Sequence, residues 1–580
     1  MPSSPLLRWG LPICILAIAF VLAIRQQQQP LQQPLTTSAT HCYTSVRTLW
    51  PTNDSPKCFT VSSDGSFSDV FTPKDGEVPE DAVSSEGHVI PGLWDGHGHL
   101  RQYGEFLHSV DLFGSSSLEE VMVRVKKYIA ENPSAGSKDE WVRGIGWDQT
   151  FFGRMPTADE LAQDPDLKGL YIMLDRIDVH CTWVSPAVLQ LLPPLPPTVP
   201  GGEIIREPGP GVFCDNAMDL VLPLWPRPNP AAQARQVRSA MAALNEVGLV
   251  GMHDAGETRK NLELYRELAS HDEEWTVRVY GMLECDKRNT FCPEDAAVVA
   301  GESDFLTVRS VKLFADGALG SWGSAMLDPY ADHPDTSGTL LINSSALTTV
   351  TSQWSTAGYQ VNIHAIGDLA NRNAISAFST ALERLCPDPA DFASCQRATH
   401  RFRIEHSQII HPEDQKLISS LSIAPSVQPT HATSDMKYAL SRLGSERLAK
   451  SAYRMRSFLH VHPAPLILGS DFPVEPPNPF RGMYAAVARR DPATGLGSPD
   501  KPDQGWHLDE ALTLDEALEG FTKGPAWGAF LEDRAGVIKP GAYADWVVLD
   551  EPLEKTDVES LRSLKVKETW VGGKRVYARA

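Results

Sequence analysis

The amino-acid sequence predicts an α/β protein built on a (β/α)8 TIM barrel. A small β-sandwich formed from both chain ends flanks it, and an N-terminal hydrophobic segment precedes both. Three observations lead there. Eight apolar, strand-like runs alternate with helical stretches through the middle of the chain, the pattern of βα units and a parallel sheet. Both ends carry short alternating runs broken by Pro-Gly and Gly-Gly turns. Metal-ligating residue types recur at the ends of the apolar runs.

The eight runs are "HVIPGLWD", "LVGMHDAG", "TVRVYGML", "SVKLFADG", "YQVNIHAIG", "FRIEHSQ", "LSIAPSVQ" and "PLILGSD". Each is short, apolar and bounded by turn residues, which suits strands buried on both faces. A long stretch, about 105–228, separates the first run from the second. It has strands of its own ("WVRGIGWD", "LYIMLDRIDVH") and Pro-rich loops, so it is an insertion over the barrel mouth. At the ends, "KCFTVSS" pairs in style with "AGVIKPGAYADWVVLD" and "VKETWVGGKRVYARA". Neither end can bury a core alone, so the two are expected to pack together. The expected organisation is therefore a hydrophobic segment and Gln/Pro linker over 1–40 and the first sandwich part over 41–88. The barrel follows over 89–530 and the second sandwich part over 531–580.

At 580 residues the chain is too long for one minimal core. A net charge of −21 and the lack of a basic stripe exclude nucleic acid as a partner, since phosphate binding needs a basic face. Arg8 precedes an apolar run from Leu11 to Ile24, which Arg25 and "QQQQPLQQP" end. The run is short for a spanning helix, which needs about 20 apolar residues. It also fits the core of a signal peptide, with Val21 and Ala23 as a weak cleavage pattern. Either reading places the chain in the secretory pathway. It would be a single-pass membrane protein with a luminal or extracellular catalytic domain, or secreted if the segment is cleaved. Nine cysteines are present, and Cys14 lies in the apolar run. The remaining eight permit disulfides; Cys42/Cys58, Cys285/Cys292 and Cys386/Cys395 are near in sequence, but spacing alone does not decide pairing. Asn53 and Asn343 stand in glycan-acceptor triplets.

In a (β/α)8 barrel, functional residues lie at the C-terminal ends of strands. The first strand, continued past its quoted run, ends in His97 and His99; the fourth carries Lys312, the fifth ends in His364, the sixth in His406 and the eighth in Asp471. The seventh offers none. Residues i and i+2 of a strand share a face, so His97 and His99 can point at one spot. Imidazoles with a carboxylate suit zinc or a similar divalent metal, one or two ions. An open coordination position would hold water, whose pKa zinc lowers to about 7. Asp471 could both ligate the metal and take the proton of that water.

Other residues carry two readings each. Asp178 and His180 line the substrate pocket or order the insertion. Trp147 and Asp148 cap the pocket, although a Trp is more often core. Asp316 begins a Gly-rich turn, "DGALGS", that lets backbone approach substrate. His253 and Asp254 are read as structural, and Asp368 as the residue that orients His364.

The motifs "PGLWDGHGHL", "GWDQTFF", "DRIDVHCTWVS", "GMHDAG", "VKLFADGALGS", "NIHAIGD", "RIEHSQ", "GSDFPV" and "GVIKPGAYADWVVLD" resemble those of the amidohydrolase superfamily. The likeness is to its family 3 branch, which includes N-substituted formamide deformylase-like enzymes, and runs from about residue 41 to the C-terminus. Family members often carry Asn where Ser185 stands. The resemblance implies that His97 and His99 bind one metal and His364 and His406 a second. It implies a carboxylated Lys312 bridging both, and Asp471 as first-metal ligand and proton shuttle. The reaction implied is cleavage of a non-peptide carbon–nitrogen bond, an amide or N-substituted formamide, by metal-bound hydroxide. A cyclic-amide or imidazolone-type hydrolase is the alternative within enzymes, and a catalytically inactive luminal barrel that binds small molecules is the alternative outside them. The expected partners are a small amide-like substrate and, through the N-terminal segment, a membrane.

Overall fold

The computed structural model describes residues 38–52, 55–74, 77–461 and 466–580. Its centre is a nearly closed barrel of parallel strands. They are β1 (Leu93–Gly98), β2 (Leu249–Glu257), β3 (Arg278–Leu283), β4 (Leu306–Phe314), β5 (Gln360–Ala365), β6 (Arg403–His406), β7 (Ala424–Val427) and β8 (Ile467–Leu468). Neighbours in the chain are neighbours in the sheet from β1 through β8. Each strand falls on one of the eight apolar runs, because only strands buried on both faces can be apolar throughout.

Closure runs between β1 and the residues after β8. A parallel bridge joins Gly98 to Phe472. The Asp471 amide donates to the His97 carbonyl at 2.7 Å, and the His99 amide to the Phe472 carbonyl at 2.8 Å. The Ser470 hydroxyl donates to Asp95 at 2.7 Å. This seam explains the glycine between the two histidines. A Cβ at Gly98 would lie 2.3 Å from the Phe472 ring. Any larger residue would hold the two walls apart, and with them His99 and Asp471.

The inserted segment forms a separate six-stranded sheet. In sheet order its strands are Gly202–Ile205, Val212–Asp215, Cys181–Val184, Ile172–Arg176, Val142–Trp147 and Val110–Asp111. It has its own apolar core, which includes Trp147, Trp183 and Leu174. Both chain ends meet in a five-stranded sheet of Ser45–Val46, His88–Pro91, Trp546–Leu549, Glu568–Val571 and Lys574–Ala578. A four-stranded sheet from the N-terminal part supplies Phe59 and Phe67 to the same core as Trp546 and Trp570. "AGVIK" is not a strand; Val537 and Ile538 enter that core from a loop.

Four disulfides join Cys42–Cys58, Cys181–Cys214, Cys285–Cys292 and Cys386–Cys395. The Cys181–Cys214 pair links adjacent strands of the insertion, a pairing that sequence distance does not suggest. The expectation of a single-pass membrane protein is corrected. Among the described residues no helix is long and apolar enough to cross a membrane. The apolar run at 11–24 and the acceptor Asn53 lie outside the described residues.

Candidate metal centre and active site

The strand ends bring His97, His99, Lys312, His364, His406 and Asp471 to one cavity of about 230 Å³. The His99 Nε2 lies 3.0 Å from an Asp471 carboxylate oxygen, and the His97 Nε2 lies 3.5 Å from the same oxygen. Ligand atoms of His97, His99 and Asp471 are all within 4.8 Å of one another. Ring centroids of His97 and His364 stand 4.7 and 4.4 Å from that of His406. His406 and Asp471 both hold positive φ, 74° and 62°, a strained backbone for non-glycine residues that aims each side chain inward.

Protonation favours metal binding. Burial pushes the His97 pKa down to about 4, and nearby Lys312 adds to the shift. His364 and His406 are likewise pushed well below the ordinary value by burial. The imidazoles are therefore neutral, the form that ligates a metal. Burial would raise the Asp471 pKa, but the polar edges of the His97 and His99 rings, with a hydrogen bond from His99 at 3.0 Å, outweigh it and lower the value. Burial also lowers the Lys312 pKa. The Nε2 atoms of His97 and His364 are buried and make no protein hydrogen bond among the described residues. Such atoms in a polar cluster call for a missing partner. Orphaned imidazole nitrogens beside a carboxylate fit a divalent cation.

A supporting layer fixes the ligands from behind. The His97 Nδ1 donates to Glu405 at 2.6 Å. Burial would raise the Glu405 pKa, yet Arg403 and His97 hold it well below the usual carboxylate range. Arg403 is fully buried, 2.9 Å from Glu405, and also donates to the Gly96 carbonyl at 3.0 Å. His253 belongs to this layer, contacting Arg403 at 2.6 Å and the Pro525 carbonyl at 3.0 Å. The His406 Nδ1 meets the Gln428 side-chain oxygen at 2.9 Å.

Sequence reasoning assigned nothing to the seventh strand. Gln428 directly follows β7, and the helix after it places His431 with its Nε2 3.6 Å from Asp471. His406, His431 and Asp471 also hold their ligand atoms within 4.8 Å of one another. The signal was "VQPTHA" just beyond the strand end.

The insertion supplies the rest of the wall. Asp178 and His180 line both the main cavity and a smaller adjoining one of about 70 Å³. The His180 Nδ1 meets Asp215 at 2.8 Å, and its ring centroid lies 5.3 Å from that of His364. Burial would lower the His180 pKa, but Asp215 outweighs it and raises the value. Asp215 was not foreseen; it lies 35 residues from its partner, at the end of the Val212–Asp215 strand, whereas His180 sits in the turn before Cys181–Val184. Asp148 lines the smaller cavity, 3.4 Å from both Arg176 and Lys437. Trp147 lies instead in the core of the insertion, fully buried, with its Nε1 donating to the Leu174 carbonyl at 2.9 Å. Asp316 accepts from the amides of Ile366, Gly367 and Ala325 at 2.8–3.0 Å and so ties two loops together. Asp368 accepts from the Leu327 amide at 2.7 Å, and among the described residues no hydrogen bond or ion pair joins it to His364. Ser185 bonds the backbone of Ile172 and Leu170.

Comparison with known proteins agrees with this architecture. Protein LONG AFTER FAR-RED 3 of Arabidopsis thaliana is 30% identical over 516 residues, 85% of this chain and 83% of that protein. The putative amidohydrolase YtcJ of Bacillus subtilis (strain 168) is 28% identical, over 87% of this chain and 92% of its own. N-substituted formamide deformylase of Arthrobacter pascens is 26% identical, over 85% and 88%. An uncharacterized metal-dependent hydrolase from Pyrococcus furiosus has a TM-score of 0.66 at 25% identity, covering 89% of this chain and all 100% of that one. A similar hydrolase from Pyrococcus horikoshii OT3 shares the fold, with a TM-score of 0.70 at 23% identity and coverage of 90% and 99%. The amidohydrolase family pattern itself matches residues 85–577, and this chain belongs to that family.

Proposed function

We propose that this protein is a metal-dependent hydrolase of a non-peptide carbon–nitrogen bond, with an amide or N-substituted formamide as substrate. The observation that carries the reading is the meeting of His97, His99 and Asp471 at one cavity, with the buried Nε2 of His97 left without a hydrogen bond. Likeness to a formamide deformylase at 26% identity supports an amide or formamide as the bond cleaved.

A divalent ion such as zinc would be held by His97, His99 and Asp471, and a second by His364 and His406. His431 is a further ligand within reach of Asp471. Lys312 is buried with a lowered pKa, which favours the free amine. That amine can take up CO2 as a carbamate, releasing a proton, and then offer oxygen ligands that an ammonium lacks. When bound, such an ion polarises a carbonyl and acidifies water.

The remaining steps belong to side chains. Asp471 accepts the proton lost by the attacking water and passes it to the departing nitrogen. His180, whose pKa Asp215 raises, offers a hydrogen bond to the carbonyl oxygen as the carbon becomes tetrahedral and keeps its own proton. Glu405 holds the His97 ring so that Nε2 faces the cavity. The C–N bond then breaks, leaving a carboxylic acid (formate, from a formamide) and an amine.

The test is a metal-stripped chain returned to zinc, manganese or cobalt and assayed with N-benzylformamide and simple anilides. Released formate or acid should track bound metal, and Asp471→Asn should lower kcat by about 10²–10⁴-fold. No turnover of any amide or formamide with full metal occupancy would defeat the proposal.

A further inference from the structure

Four guanidinium groups share the cavity with the ligand cluster. Arg101, Arg143, Arg227 and Arg288 all line it. Three are already neutralised. Arg101 sits 3.3 Å from Glu105 and 3.5 Å from Glu257. Arg143 reaches Glu105 at 3.2 Å and also pairs with Asp175. Arg288 lies 3.3 Å from Glu284. The other wall acids are also engaged, Asp178 by Arg176 and Asp215 by His180.

Arg227 differs. Among the described residues it has no ion pair and no hydrogen bond. Its contact is a stack on Trp225, with the guanidinium carbon 4.2 Å from the ring centroid. The same ring carries Arg143 at 4.1 Å, so two cations share one indole. Trp225 is itself buried, which fixes the platform, while Arg227 is exposed and so open to a ligand. Lys312 is the other wall cation without an ion pair, but it stands at the ligand cluster, where a carbamate would reverse its charge.

We infer that Arg227, stacked on Trp225, is a specificity-determining residue that binds a carboxylate on the part of the substrate remote from the bond being cleaved. A planar, rigid guanidinium suits a carboxylate, because both can align two N–H···O bonds. Partial desolvation of the guanidinium against the cavity wall and the nearby Arg101, opposed by Glu105, depress the Arg227 pKa to about 10, which leaves it charged at neutral pH. The leaving amine would then be an amino acid or other carboxylate-bearing amine, not a plain hydrocarbon amine. This inference rests on the hydrolase reading above.

Two formamides that differ by one charge test it: N-benzylformamide and N-formyl-4-(aminomethyl)benzoate, with the zinc-loaded full chain. The unsubstituted protein should favour the benzoate by about tenfold in kcat/KM. Arg227→Ala should abolish that preference by slowing only the anionic substrate, and Arg227→Lys should keep part of it. Equal losses on both substrates, or no preference at the outset, overturn the inference. Binding of benzoate against benzyl alcohol, followed by thermal shift, separates the two readings. A benzoate-specific rise in Tm that Arg227→Ala removes, with neither formamide cleaved, sinks the hydrolase reading and keeps the anion site. No benzoate-specific rise sinks the anion site.

Discussion

Two buried histidines in this molecule make a natural pair. His97 lies at the barrel mouth and His41 in the flanking sandwich, and each has its pKa lowered to about 4 chiefly by burial. Their surroundings differ. His97 has Glu405 on Nδ1, and its Nε2 looks towards Asp471. His41 has no hydrogen bond at either nitrogen among the described residues. It is surrounded by Phe59, Trp546 and Trp570, with ring centroids 5.2–5.9 Å away. Burial alone makes an imidazole neutral. Only a second group that aims the ring, and further donors around its free nitrogen, turn a neutral imidazole into a ligand.

Three experiments can break or sharpen that contrast. The largest effect is expected from His97→Ala. It should strip metal from the protein and lower kcat/KM by on the order of 10³-fold or more. His41→Phe should leave metal content and kcat/KM unchanged. Equal loss in both variants, by metal analysis and assay, would erase the distinction. The next effect is expected from Glu405→Gln. The amide keeps the size of the carboxylate and removes its charge, so metal affinity should fall about 10–100-fold. Retained affinity in a competition with chelator would mean that Glu405 serves only its ion pair with Arg403.

The smallest effect on activity, and the clearest on stability, concerns pH. The His41 pKa is near 4 in the folded protein and near 6.5 in the unfolded chain. The unfolded chain therefore binds more protons between those values. His41 costs nothing above about pH 6.5, and stability is lost as pH falls towards 4. The full loss is about 3 kcal/mol. His41→Phe should flatten the decline in unfolding free energy between pH 7 and 5. An unchanged decline would assign it to other groups.

The barrel was readable because its strands are buried on both faces and so stay apolar along their length. That put His97, His99, His364, His406 and Asp471 at strand ends without any knowledge of the packing. The misses share a physical cause. His431 sits beyond β7, on a helix, where strand-end logic does not reach. Glu405 adjoins His406 in sequence and faces His97, 308 residues away. Trp147 and Asp148 are adjacent in sequence, yet successive side chains at a strand end part ways, one into the insertion core and one to the smaller cavity. Asp316 and Asp368 both bond backbone amides, a role that a carboxylate's identity does not announce.

The sequence by itself determined the barrel, the sharing of a sheet by both chain ends, and the residue types available for a metal. Hydrophobic periodicity and turn chemistry are local properties, and local order reads them. Tertiary structure decided which donors meet. It set the 3.0 Å approach of His99 to Asp471, the Glu405 brace on His97, and the contact of His180 with Asp215. It also left Arg227 as a guanidinium without an ion pair among the described residues. Those outcomes depend on distances between groups far apart in the chain, and charge pairing at a few ångströms cannot be inferred from order along it.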